Sequence, residues 1–163
     1  MTFKSFRMRR DAENWFSNIR DQKPIQTKFD LYYFCLMVGL ATGRRSDPIK
    51  RCSEVTDFTD NFVSDYRSYQ RLIIGLLIRA ELSRLEVSVT EKDEVRQLFV
   101  KLVNPQSLTN LTNLGMDRLN EYSSGGYDYL AEKLNVRPHH VEEFLRTYTK
   151  LLREAVEQNS SWQ

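Results

Sequence analysis

Cysteine, glycine, proline and long apolar runs are all scarce in this 163-residue chain, and each scarcity excludes something. Two cysteines, Cys35 and Cys52, cannot build a disulfide framework for a chain of this size, which predicts a cytoplasmic protein. Six Gly and four Pro are too few for a turn-rich β sandwich. The longest apolar run, Leu31 to Ala41, has eleven residues. A bilayer needs about 20, so no membrane partner is expected. The basic start, Met1 to Arg10, meets Asp11 and Glu13 before any apolar stretch, so no secretory signal is read there.

Signatures of chemistry are missing as well. Neither Gly-rich phosphate loop, G-x-x-x-x-G-K-[ST] or G-x-G-x-x-G, occurs, nor does H-E-x-x-H or G-x-S-x-G. The two histidines, His139 and His140, are adjacent; on a helix they diverge by about 100° and cannot share one metal, so capping or partner contact suits them better. Cys35 sits in an apolar stretch that disfavours thiolate. No E-x-K triplet exists, and the one D-x-K, Asp21-Gln22-Lys23, follows a helix and not a strand. The expectation is a protein without catalytic residues, cofactor or metal: not an enzyme.

What is present is a globular composition, 40% hydrophobic and 28% charged, in a chain long enough to bury about 70% of its unfolded surface. The pattern predicts an all-α fold: one compact helical domain over 11–157 with six to seven helices, preceded by a basic and aromatic arm over 1–10 and followed by a frayed tail over 158–163. A first helix is expected over 11–20, ended by Pro24. Thr27 with Asp30 three residues on reads as a capping box, opening a helix that is apolar on all sides to Thr42, with Gly43 as its C′ residue and Arg44 and Arg45 at the negative end of its dipole. Residues 46–60 read as a loop and 61–85 as one long helix containing Gly75. A helix capped by Thr90 runs to Val103. Another covers 113–122 and stops at Ser123-Ser124-Gly125-Gly126. The last two are expected over 127–134 and from Pro138 to Glu157.

Charge is unevenly distributed. Residues 1–53 hold eleven Lys/Arg against five Asp/Glu, whereas residues 54–163 hold thirteen against seventeen. This division admits two readings: solvated faces, or a basic surface that meets nucleic acid or an acidic partner patch. On the second, the contact residues are Lys4, Arg7, Arg9, Arg10, Arg44, Arg45, Lys50 and Arg51. The 8 Tyr, 9 Phe and 2 Trp are likewise open to two readings, core filling or partner contact. For contact, Phe3, Phe6, Met8 and Trp15 are the candidates, the first three on an arm that would be costly to expose alone.

Tyr127 to Arg146 has helix-turn-helix spacing: small Ala131, a turn at Asn135, and apolar anchors at Leu130, Leu134, Val136, Val141 and Leu145. Its second helix would present Glu142 and Glu143 to a phosphate field of the same sign, so a structural corner is favoured over a base-reading one. The apolar helix from Phe29 to Ala41, the stretch from Leu108 to Leu130 with Gly125-Gly126, and this corner resemble the accessory, middle component of prokaryotic ABC three-component defence systems, the group that includes Lamassu. Accessory proteins of DNA phosphorothioation systems are a second resemblance. The first implies a non-catalytic subunit beside an SMC-like ATPase and an effector nuclease in antiviral defence. The alternative is a small helix-turn-helix-like protein contacting the phosphate backbone of double-stranded DNA.

Overall fold

The structure, a computed structural model, describes residues 3–159. Seven α-helices and a two-stranded sheet are found among them: β1 (Phe6–Arg9), α1 (Arg10–Trp15), α2 (Lys28–Thr42), α3 (Pro48–Arg51), β2 (Val55–Thr59), a 3-10 turn (Ser64–Tyr69), α4 (Gln70–Arg84), α5 (Lys92–Leu102), α6 (Asn113–Leu134) and α7 (Val141–Gln158). The fold is thus mostly helical and not strictly all-α. Helix α2 is the hub, with α6, α7 and α4 packed on it. That placement follows from its sequence, because a helix apolar on all sides finds no favourable contact with water. The Asp30 carboxylate accepts from the backbone N–H groups of Gln26 and Thr27 and from the Tyr66 hydroxyl, and Gly43 ends the helix at φ 72°.

The expected arm is a strand of the core. β1 pairs antiparallel with β2, Arg7 opposite Asp57 and Arg9 opposite Val55, so the expected loop over 46–60 holds both α3 and β2. Phe6 is fully buried at the centre of an aromatic cluster, 5.0 Å from Phe29 and 5.0 Å from Phe62 between ring centroids. Trp15 belongs to a second cluster with Phe16, Tyr127 and Phe144. Edge-to-face rings at these distances contribute roughly 0.5–1.5 kcal/mol per pair beyond their area. Most of the ring inventory therefore fills the interior.

Gly125-Gly126 does not break a helix. α6 runs unbroken for 22 residues, because Gly126 is where it crosses α2 and Gly125 is where the backbone of Arg44 and Arg45, just past α2, lies against it. A Cβ on Gly126 would lie 1.7 Å from the Cys35 carbonyl oxygen, and one on Gly39 would lie 1.9 Å from that of Tyr122. Only hydrogen fits between the two backbones. The dispersion gained by close packing along α2 offsets the helix propensity lost at the two glycines, about 1 kcal/mol each.

Other boundaries also differ. The expected helix over 61–85 begins with the 3-10 turn, the helix after Thr90 begins at Lys92, and the last helix begins at Val141 and not at Pro138. Asn135 is left-handed at φ 60°, as the corner requires, but Val136 is 65% exposed and anchors nothing. Six residues separate α6 from α7, and α7 packs chiefly on α2, so the corner lacks the tight helix-on-helix contact of a DNA-reading motif. Gln22 holds the start of α7, accepting from the Val141 N–H and donating to the His139 carbonyl. Of the expected tail, Gln158 is helical and residues 160–163 lie outside the described residues.

Candidate functional site

Seven of the eight cations singled out as contacts hold carboxylates of the same molecule. Lys4 binds Asp117 at 2.7 Å, Arg7 binds Asp57 at 2.7 Å, and Arg10 binds Glu54 at 3.2 Å. Arg44 makes a two-pronged bond to Glu132 at 2.6 and 2.7 Å, which holds the Glu132 carboxyl below its ordinary value. Arg45 reaches Glu81 at 2.8 Å, and Arg51 reaches Asp128 at 3.4 Å. Lys50 has no ionic partner among the described residues. Every carboxylate named here lies at position 54 or beyond. Much of the uneven charge of the sequence is therefore satisfied within the molecule, basic first third against acidic remainder.

Arg9 is the deepest of these groups, 5% exposed. Its guanidinium donates to both Asp11 oxygens, at 2.9 and 2.6 Å, to Asp128 at 2.8 Å and to the Ser124 hydroxyl at 3.1 Å, and it lies 4.9 Å from the Tyr127 ring centroid. Burial pulls its pKa down, but the hydrogen bonds and charges of Asp11 and Asp128 outweigh burial and hold it above the ordinary value. Ser46 donates to the second Asp128 oxygen at 2.9 Å. This knot clamps β1 and the residues after α2 onto α6. Asn120 adds to it, accepting from the Arg7 N–H and the Tyr32 hydroxyl and donating to the Ser5 carbonyl.

A second network joins α4 to α6. Buried Glu81 accepts from Arg45 and lies 3.4 Å from Arg118, while Glu121 lies 3.1 Å from Arg118 and 3.7 Å from Arg45. The sequence reading missed Glu81, Asn120 and Asp128. Glu81 carried a signal: it stands on the stripe of Ile73, Ile74 and Leu77, where a carboxylate must find a cation. Asn120 and Asp128 carried none, because α6 is buried on nearly every side.

Of the four apolar contact candidates, only Phe3 is on the surface, 47% exposed; Phe6, Met8 and Trp15 are packed inside. Phe3 opens on a groove of about 320 Å³ shared with Lys4, Asp60, Leu108 and Met116. Leu108 is 67% exposed, and its carbonyl accepts from Gln70 at the start of α4. Tyr69 and Leu72 flank Gln70 and are about half exposed, as is Phe99 on α5; Val100 is 74% exposed. The far end of the α4–α5 hairpin exposes Leu85 and Val89. The sequence reading did not single out these residues as contacts, because their spacing also fits a core stripe.

A cavity of about 530 Å³ lies where α2 and α7 end. Arg84 is the one charged residue among its described lining, and it donates to the Gly43 carbonyl at 3.1 Å. Cys35 is buried, and burial pushes its thiol pKa well up, against nucleophilic use. No group of three or more His, Cys, Asp or Glu side chains among the described residues could hold a metal ion. No helix among them is long and apolar enough to cross a membrane. Comparison with protein-family models, with curated proteins and with solved structures finds no match to this chain.

Proposed function

We propose that this chain is a non-catalytic assembly subunit that joins other proteins through the outer side of its α4–α5 hairpin and the adjoining Leu108 loop. The observation that carries this reading is the exposure of large apolar side chains there: Tyr69, Leu72, Leu85, Phe99, Val100 and Leu108. Exposed apolar side chains on neighbouring elements mark interaction surfaces in folded domains where they form one patch. The resemblance of the Phe29–Ala41 helix and the Leu108–Leu130 stretch to accessory components of prokaryotic defence systems supplies the class of partner, an SMC-like ATPase with an effector nuclease. The corrected placement of Phe6, Met8 and Trp15 moves the contact surface from the N-terminus to the hairpin.

Contact with DNA phosphates has less support. Seven of the eight cations offered for it already hold carboxylates, and recruiting them would break those pairs. Lys50, in α3 and without an ionic partner among the described residues, is what that reading would rest on.

The test is capture of the tagged full chain from cells carrying its gene neighbourhood, with and without nuclease, beside the F99S/V100D double variant. Stoichiometric ATPase and effector subunits that survive nuclease and vanish with the double variant are the expected result. Nucleic acid alone, lost on nuclease treatment, would overturn the reading in favour of the basic residues.

A further inference from the structure

Among the buried carboxylates of the described residues, Glu13 on α1 alone keeps an oxygen without a hydrogen bond. Glu13 is 6% exposed. Its Oε1 pairs with the Lys28 ammonium, whereas Oε2 has only the Arg10 guanidinium 4.0 Å away, beyond hydrogen-bonding distance. Such an oxygen calls for a donor from outside the chain, because burial without a partner keeps its desolvation cost unanswered. A donor has room. Glu13 lines a cavity of about 70 Å³ between α1, the turn after it and the start of α2. Leu31, also buried, shares the inner wall, and exposed Arg20, Asp21, Gln26 and Thr27 form the rim. Neither Arg20 nor Asp21 has an ionic partner among the described residues.

The lining also selects the kind of donor. Glu13 and Asp21 supply two negative charges, Lys28 and Arg20 two positive ones. A simple cation would meet Lys28 and Arg20 as like charges, and a simple anion would meet Glu13 and Asp21 in the same way. A metal ion lacks ligands, since no group of three or more His, Cys, Asp or Glu among the described residues could hold one. A zwitterion meets neither objection. Its ammonium supplies the hydrogen-bond donor that Oε2 lacks, and its carboxylate suits the two cations. Size narrows the choice further. One water takes about 30 Å³ in the liquid, so the cavity has room for about two, the scale of an amino acid without a side chain.

We propose that this cavity binds glycine or a zwitterion of the same size, with Glu13 Oε2 and Asp21 holding its ammonium and Lys28 and Arg20 its carboxylate. The site joins α1 to α2, the hub of the fold, so occupancy stabilises the folded chain by mass action. This role is separate from the assembly reading and does not depend on it. The test is titration of the full chain with glycine, followed by two-dimensional amide NMR spectra and by thermal unfolding, beside leucine, acetate and methylammonium. Glycine is expected to saturate, to shift the amide signals of Glu13, Lys28 and Leu31, and to raise the Tm. Leucine is too large for the cavity, and acetate and methylammonium each carry half of the charge pattern; all three should bind more than tenfold more weakly. Glu13→Gln and Asp21→Asn should each weaken glycine more than tenfold, with circular dichroism checking the fold. Asp21 is exposed, so its variant keeps the test decisive if the change at buried Glu13 prevents folding. No saturable shift with glycine in the millimolar range would overturn the inference and leave water as the partner of Oε2. Binding that Asp21→Asn leaves unchanged would overturn it as well, as would leucine or methylammonium binding as tightly as glycine.

Discussion

Arg9 and Arg96 are the same residue type, handled in opposite ways. Arg9 ends β1, and two carboxylates, a serine hydroxyl and an aromatic ring hold its buried side chain in place. Arg96 lies on the open side of α5 with no ionic partner among the described residues. The glycines divide in the same manner: Gly39 and Gly126 are pressed against a neighbouring backbone, and Gly75 faces open space. In the α2–α6 region the buried charges and the closely packed backbones depend on their neighbours, while the hairpin, like α7, carries exposed charges without ionic partners among the described residues. Dependence of the first kind holds the fold together. Charges of the second kind are solvated and contribute little to the stability of the fold.

Substitutions should separate the two regions by size and sign. Gly126→Ala forces α2 and α6 apart along their crossing, and a loss of more than about 4 kcal/mol is expected in denaturant titration. A loss below about 1 kcal/mol would mean that the crossing is looser than the structure has it. Asp128→Ala leaves Arg9 buried with one of its two carboxylates. About 3–5 kcal/mol should be lost, with Asp128→Asn intermediate, since breaking one side of a buried pair strands the other charge.

Acid should act through Asp30. Burial would raise its pKa, but the hydrogen bonds from Tyr66, Gln26 and Thr27 outweigh burial and hold it below the ordinary 3.8. A carboxyl depressed in the folded state adds stability that is present above the unfolded value and lost as pH falls from there through the folded value. Tyr66→Phe should therefore cost about 1 kcal/mol at neutral pH and flatten the fall in stability below pH 3.8. An unchanged acid limb in urea titrations at pH 2.5–5 would remove the Tyr66–Asp30 bond from the account. Gly75→Ala, the same chemical change as Gly126→Ala, should instead raise stability, by about 0.5–1 kcal/mol. Destabilisation there would show that Gly75 is packed within the chain and dissolve the contrast.

Much of this architecture was legible beforehand, for identifiable reasons. The capping box at Thr27 and Asp30, the end of α2 at Gly43 and the buried character of the helix between them are local properties, set by residues a few positions apart. The αL turn at Asn135 belongs with them. The pairing of β1 with β2 was not legible, because alternating Phe6, Arg7, Met8 and Arg9 fit an extended segment but say nothing about a strand some fifty residues on. Gly125-Gly126 misled for the opposite reason: the local signal for a break is real, and a contact with α2, ninety residues away in sequence, overrides it. The candidate cations show the same limit. Their positive charge was visible, whereas the carboxylates that absorb it lie up to 119 residues distant.

What the sequence determined by itself was the mostly helical class, the burial of α2 and the uneven distribution of charge, because composition and short-range periodicity fix these without reference to any partner. Only the tertiary structure decided which charges meet and which remain open. That depends on the close α2–α6 crossing and on β1 lying against α6, contacts made by backbones brought together from distant parts of the chain, for which no short stretch of residues carries a signal.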